Sequence, residues 1–187
     1  MELLQNVDNT ILEFIRIHMS SDFLDFIMPF ITKLGSGGMI WIIVALAFLI
    51  SKKYRTNGFM LIASLVLCVL IGNLTLKPLV ARIRPYDINT AILLLIARPT
   101  DFSFPSGHTM SSFAAATVIF YANTKMGIVA FVLASLIAFS RLYLYVHYPS
   151  DILAGIMLGI FVSIAVIWIF KIRRGHISSS NNGNRTL

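Results

Sequence analysis

Long apolar segments with charges confined to their ends constrain this chain more than any other feature. Gly58 to Leu76 contains no charged residue, nor does Met39 to Ser51, and the residues after Asp151 are uncharged as far as Phe170. An apolar run of about 20 residues is what a helix needs to cross the hydrocarbon core of a bilayer. Composition agrees, since 57% of the 187 residues are hydrophobic and 12% are charged, where a soluble domain carries about a quarter charged residues. The expected fold is an all-α integral membrane protein, about six transmembrane helices in a bundle with an N-terminal amphipathic helix. Residues 1–172 form the single membrane domain, and 173–187 a basic tail, rich in Ser, Asn and Gly, expected to be disordered in the cytoplasm.

Along the chain, Leu3, Leu4, Val7, Ile11, Phe14, Ile15 and His18 recur at helical spacing, as in a helix lying at the membrane interface. A short segment, Phe23 to Lys33, holds Asp25 and Pro29. Gly35-Ser36-Gly37-Gly38 is a turn, Met39–Ser51 a helix, and Gly58–Leu76 another that Pro78 is expected to end. Residues 78–104 are the longest polar stretch. Three more helices are expected, from Ser106 to Tyr121, from Gly127 to Tyr145 and from Asp151 to Phe170.

The net charge of +7 is not that of a nucleic-acid binder, because the basic residues sit at the ends of apolar segments rather than among aromatics on a solvated face. There they orient helices and meet anionic head groups. The positive-inside rule puts the 52–55 cluster, Lys125 and the Lys171/Arg173/Arg174 group in the cytoplasm, with both termini. Lys33, Lys77, Arg82, Arg84, Arg98 and Arg141 then lie on the other side. Acidic Glu2, Asp8 and Glu13 argue against a cleaved signal peptide, and the single cysteine, Cys68, allows no intrachain disulfide.

Three motifs converge on that outer side: Lys77-x6-Arg84-Pro85, Pro105-Ser106-Gly107-His108, and Ser140-Arg141-x5-His147-x3-Asp151. His147 and Asp151 are four residues apart, which on a helix puts them on one face. A carboxylate accepting one imidazole N–H frees the lone pair of the other nitrogen for attack; an interfacial histidine beside an N-capping aspartate is the alternative. Ser106-Gly107 at a helix start exposes backbone N–H groups at the positive end of the dipole, a ready anion site. His108 on the first turn could hand a proton to a departing oxygen, an effect of about 10²–10⁴ in rate. Lys77, Arg84 and Arg141 supply fixed cations for the charge that phosphoryl transfer spreads over its oxygens, although head-group snorkelling accounts equally for either Lys77 or Arg84 alone.

In order and spacing these motifs resemble the signature of the type-2 phosphatidic acid phosphatase superfamily, membrane lipid phosphatases related to vanadium haloperoxidases. The resemblance covers roughly residues 60–170, and every motif position is filled. It implies His147 as a nucleophile forming a phosphohistidine, Asp151 as its orienting partner and His108 as the acid on the leaving group. Lys77, Arg84, Ser106, Gly107 and Arg141 would hold the phosphate. It implies no metal and no cofactor, and Asp87, Asp101 and Asp151 show no chelating spacing. The partners expected are a membrane lipid phosphate and the bilayer, with no nucleic acid; oligomeric state is left open. The site is expected on the extracytoplasmic face of a cell membrane, in a protein resembling the bacterial members. Undecaprenyl diphosphate is the first expected substrate, phosphatidylglycerophosphate or phosphatidate the alternative. A non-catalytic phospholipid carrier would need the cations but not two histidines and a carboxylate.

Further residues carry weaker expectations. Asn73 could orient Lys77 or bridge two helices. Arg82 and Arg98 could hold a second phosphate or be solvated loop charges. Gly155-x3-Gly159 permits close helix approach, and Tyr143, Tyr145 and Tyr148 fit an interfacial aromatic belt.

Overall fold

The computed structural model describes residues 2–183, with side chains as far as Arg173. Its order is α1 (Glu2–His18), α2 (Asp22–Gly35), a 3₁₀ turn (Ser36–Gly38), α3 (Met39–Ile50), α4 (Arg55–Cys68), a π-helical stretch (Val69–Leu76), α5 (Lys77–Val80), α6 (Pro85–Ile88), α7 (Gly107–Ala122), α8 (Thr124–Tyr143) and α9 (Pro149–Gly183). The protein is all-α, as expected. The expected tail, 173–187, falls almost wholly beyond the residues whose side chains are described.

Local chemistry explains most boundaries. Ser21 caps α2 by accepting from the Leu24 N–H at 3.3 Å, and Asn123 caps α8 by accepting from Met126 at 3.0 Å. Pro149 opens α9, where its missing N–H costs nothing. Pro78 does not end its helix. The turns before it are π-helical, with the Lys77 N–H donating to Gly72 five residues back. In that wider spiral the proline ring avoids the carbonyl four residues earlier, and helical residues continue to Val80.

Among the described residues, four segments are long and apolar enough to cross a membrane: Asp22–Ile50, Arg55–Ile88, Thr124–Tyr143 and Pro149–Arg173. The expected crossing by α7 is only 16 residues long. Two of the six expected spans, α2 and α3, fall within one of these segments, Asp22–Ile50. The first turn of α2 meets the end of α8, where the Tyr143 hydroxyl donates to Asp25. Farther along, Thr32 meets Arg141 and Ser36 meets His108, Trp41 donates to Ser112 at 2.9 Å, and Leu49 packs on Gly58 at the far end. Gly37 and Gly38, at φ 60° and 70°, bend the path between α2 and α3 in a conformation other residues resist.

It follows that α1 lies at the motif end of the bundle, which differs from the expectation of both termini at the other. All eight Asp and Glu residues belong to that end, on α1, α2, α6, α9 and the 89–106 strap. The opposite end carries Lys52, Lys53, Arg55, Lys125, Lys171 and Arg173 and no carboxylate among the described residues.

Helix α7 is the axis. Ala114, Ala115, Ala116 and Val118 are fully buried, and α4, α8 and α9 pack around it. The glycines expected to allow close approach do so within the chain. A Cβ at Gly159 would stand 2.3 Å from the Met110 carbonyl oxygen on α7, and one at Gly155 would stand 2.9 Å from that of Ser106. Seating α9 against α7 this closely brings Asp151 beside the start of α7, where the Ser106 N–H donates to its carbonyl at 3.2 Å.

Candidate active site

A cavity of about 800 Å³ opens at the motif end, walled by Lys77, Arg84, Asp101, Gly107, His108, Arg141 and His147. Its other wall is apolar, with Ile42, Ile62, Leu65, Val66, Val69 and Leu70 running down between α3 and α4. Ile42, Val66, Val69 and Leu70 are exposed on the outer surface of the bundle, so the charged pocket continues into a flank that hydrocarbon can reach.

His147 stands in the loop between α8 and α9, not on a helix. The expected helical face is therefore not what pairs it with Asp151. The loop turns back through Tyr145, at φ 58°, and Pro149 starts the helix two residues after His147. The pair still meets, with Nδ1 3.6 Å from Asp151 Oδ2. Ser103 sits between them, its hydroxyl donating to that oxygen at 2.5 Å and lying 3.5 Å from Nδ1. The other ring nitrogen, Nε2, is 3.2 Å from Arg84 Nη1. Arginine only donates, so Nε2 is the acceptor and the ring proton belongs on Nδ1, toward Asp151. Burial, reinforced by Arg84 and Arg141 and opposed by Asp151, pushes the His147 pKa down to about 3. The imidazole is thus neutral with a bare Nε2 at physiological pH.

The cations differ in how they are held. Arg84 is buried and donates to the carbonyls of Asp101 at 2.7 Å and Val146 at 2.6 Å and to Asp101 Oδ1 at 2.7 Å. Lys77 pairs with the other oxygen of Asp101. Arg141 donates to Thr32 Oγ1 at 2.7 Å, while its Nε is the one buried side-chain nitrogen or oxygen without a hydrogen-bond partner among the described residues. His108 lines the cavity with Nε2 3.4 Å from the Ser36 hydroxyl. Gly107 faces the Asn73 side chain, for a Cβ there would stand 2.9 Å from Asn73 Oδ1. Asn73 therefore leans on the start of α7 as well as lining the cavity near Lys77.

Ser106 departs from expectation. Its hydroxyl is fully buried and bonded to Thr109 Oγ1 at 2.9 Å, and it caps α7 by accepting from the Thr109 N–H at 3.4 Å. It shapes the loop rather than facing the cavity. Arg82 is not available for a second phosphate either, because it donates to Asp151 Oδ1 and Asp8 Oδ2, each at 2.7 Å. Arg98 lies over the Tyr86 ring at 5.5 Å. Asp101, Ser103, Thr32 and Asp8 are the participants that motif reading missed. Asp101 and Ser103 stood just before Pro105-Ser106-Gly107-His108 and could have been found by proximity; Thr32 and Asp8 carried no local signal. Among the described residues no three His, Cys, Asp or Glu side chains converge as a metal site would require.

An all-α membrane bundle with a buried His–Asp pair facing a cationic cavity defines the class of membrane phosphatases. The PAP2 superfamily profile matches residues 53–174, and the chain belongs to that family. It is 35% identical over 147 residues to an undecaprenyl-diphosphatase of Sulfolobus acidocaldarius, covering 78% of this chain and 70% of that one. It is 31% identical to the undecaprenyl-diphosphatase BcrC of Bacillus subtilis, over 74% and 71% of the two chains. Of solved structures, Aquifex aeolicus LpxE superposes with a TM-score of 0.76 at 26% identity, covering 86% of this chain and 94% of that one. A Bacillus subtilis PAP2-type phosphatidylglycerolphosphate phosphatase shares the fold, with a TM-score of 0.77 at 24% identity over 91% and 88%. The protein is a membrane lipid phosphate phosphatase.

Proposed function

We propose that the protein hydrolyses a polyprenyl diphosphate, undecaprenyl diphosphate first, through a phosphohistidine on His147 and without a metal. The observation that carries this reading is the bare Nε2 of a neutral His147 held at the wall of a cavity that Lys77, Arg84 and Arg141 also line. Nε2 attacks phosphorus and the bond from phosphorus to the leaving oxygen breaks, with His108 taking up a proton from solvent as the anionic substrate offsets the neighbouring cations and passing it to that oxygen. Lys77, Arg84, Arg141 and the Gly107 backbone stabilise the charge on the remaining oxygens, the free Nε–H of Arg141 among them. Water then attacks the phosphohistidine, His108 takes its proton, and the nitrogen–phosphorus bond breaks. The apolar flank between α3 and α4 suits a hydrocarbon tail, and the resemblance to two undecaprenyl-diphosphatases favours that tail.

Phosphate release in detergent with excess EDTA tests this, comparing undecaprenyl diphosphate, phosphatidylglycerophosphate and phosphatidate, with His147→Ala as the blank. Turnover on the diphosphate that survives EDTA and is lost in the variant is expected. Preference for phosphatidylglycerophosphate moves the substrate assignment, and loss of activity in EDTA defeats the metal-free mechanism. Binding without turnover of any of the three indicates a carrier.

The site is read as extracytoplasmic, and α1 with it, since every described charge at the far end is basic. Ser20→Cys is expected to react with an impermeant maleimide on intact cells, and Lys125→Cys only after permeabilisation. Labelling of both from one side overturns this arrangement.

A further inference from the structure

Arg82, which is not among the residues lining the cavity of the candidate site, lies between two buried carboxylates. Its Nη1 donates to Asp151 Oδ1 and to the Ser150 hydroxyl, each at 2.7 Å. Its Nη2 donates to Asp8 Oδ2 at 2.7 Å and to Gln5 Oε1 at 2.8 Å. The guanidinium stacks on the Tyr148 ring, 3.9 Å from its centre. Asp8, on α1, is 1% exposed and also accepts from the Ser150 N–H at 2.9 Å and the Ser150 hydroxyl at 2.5 Å. We propose that Asp8 and Arg82 are positioning residues for the His147–Asp151 couple, which makes the interfacial helix α1 part of the apparatus that sets Asp151.

A helix needed only as an anchor has no use for this arrangement. Burial of Leu12 and Ile15 would hold α1 down, whereas a buried carboxylate is costly unless it is paired and hydrogen-bonded. Here the pairing leads directly to Asp151. One oxygen of Asp151 takes the Ser103 hydroxyl and the Tyr148 N–H; the other takes Arg82. The carboxylate plane, and so the direction it presents to Nδ1, is fixed only with Arg82 in place. Arg82 unaided would also draw the Asp151 charge away from the imidazole. Asp8 shares that cation, so the cluster facing His147 keeps a net negative charge, and a phosphorylated imidazolium is stabilised by it. The ionisable groups around Asp151 are His147 from its own loop, Arg82, Asp8 from α1 and Tyr148, with Arg84 beyond the imidazole.

The inference rests on His147 as the nucleophile, and the test separates the two. In the full-length protein in detergent, Asp8→Asn is expected to lower kcat about 10- to 100-fold, the range for groups that orient a reacting side chain through a partner, with KM within about twofold and the thermal midpoint near the parent's. Asp8→Glu should restore part of kcat. Arg82→Lys, which keeps the charge but not the bridge, should show the same loss, and it decides the matter if Asp8→Asn does not fold. A kcat within about twofold of the parent in either folded variant overturns the inference while leaving the phosphatase reading intact. Should the parent turn over none of the lipids, ¹⁵N NMR of histidine-labelled protein decides. A single Nδ1–H tautomer of His147 that becomes mixed in Asp8→Asn supports the inference, and an unchanged one overturns it.

Discussion

Two carboxylates, Asp101 and Asp151, each pair with an arginine from the same tripeptide, Arg82-Ile83-Arg84, and their settings are opposite. Asp151 is inaccessible and its Arg82 is 18% exposed in the side chain; the Asp101 side chain is 51% exposed while its partners, Lys77 and Arg84, are nearly buried. Asp151 belongs to a closed network in which every oxygen has a designated donor. Asp101 is a half-wet anion resting among cations that a phosphate group would also want. The difference shows how a cluster of charges is divided by task. On the function proposed above, the carboxylate that fixes geometry is sealed with its donors in place, and the carboxylate that gives way to phosphate is left where water can reach it. Arg84 belongs to both sides, since it touches Asp101 and His147 Nε2.

Arg84 should therefore break the comparison most severely. Arg84→Ala removes a phosphate ligand and the donor that holds Nε2 at once, and a kcat loss of about 10³ is expected, at the upper end for one donor on developing charge. Arg84→Lys should recover little, because one ammonium cannot reach the Val146 carbonyl, Asp101 and His147 together. Steady-state kinetics on the preferred lipid check both. Near-complete recovery by lysine would mean that Arg84 acts as a point charge and that Nε2 is held by something else.

Much of this division was legible in the sequence, and the part that was not has a physical reason. Lys77, Arg84, His108, Arg141, His147 and Asp151 were found by motif order, because phosphoryl chemistry needs those residue types wherever the chain puts them, and the fold does bring them to one cavity or its margin. Ser106 is expected as a phosphate ligand and is found capping α7, because a serine at a helix start serves equally as cap or ligand and the sequence does not record its packing against Thr109. The expected six spans and the four long apolar segments differ at α2 and α3, where apolarity marks what hydrocarbon can touch but not whether two short helices make one crossing or two. In the sequence Asp8 counts only as one of the acidic residues that argue against a signal peptide. Its burial depends on Ser150, 142 residues away, and no local pattern records such a contact.

The smaller and more telling test concerns Asp101. If this carboxylate stands in for phosphate in the resting site, its removal helps anions bind. Half-exposed ion pairs are each worth about 0.2–1 kcal/mol, so Asp101→Asn should tighten inhibition by inorganic phosphate or vanadate about fivefold and alter kcat less. Although partial burial alone would raise its pKa, Lys77 and then Arg84 draw the Asp101 carboxyl down to about 2 from 3.8. A depressed carboxyl contributes stability that is present above the unfolded value and is lost as pH falls toward the folded one. The stand-in is consequently ionised throughout the range from about pH 5 to 8, and the advantage of Asp101→Asn should be flat across it. Measured inhibition constants for phosphate on parent and variant decide the matter. Weaker inhibition in the variant would show that Asp101 holds Lys77 and Arg84 in place for the substrate, which would move it from the exchangeable side of the site to the sealed one.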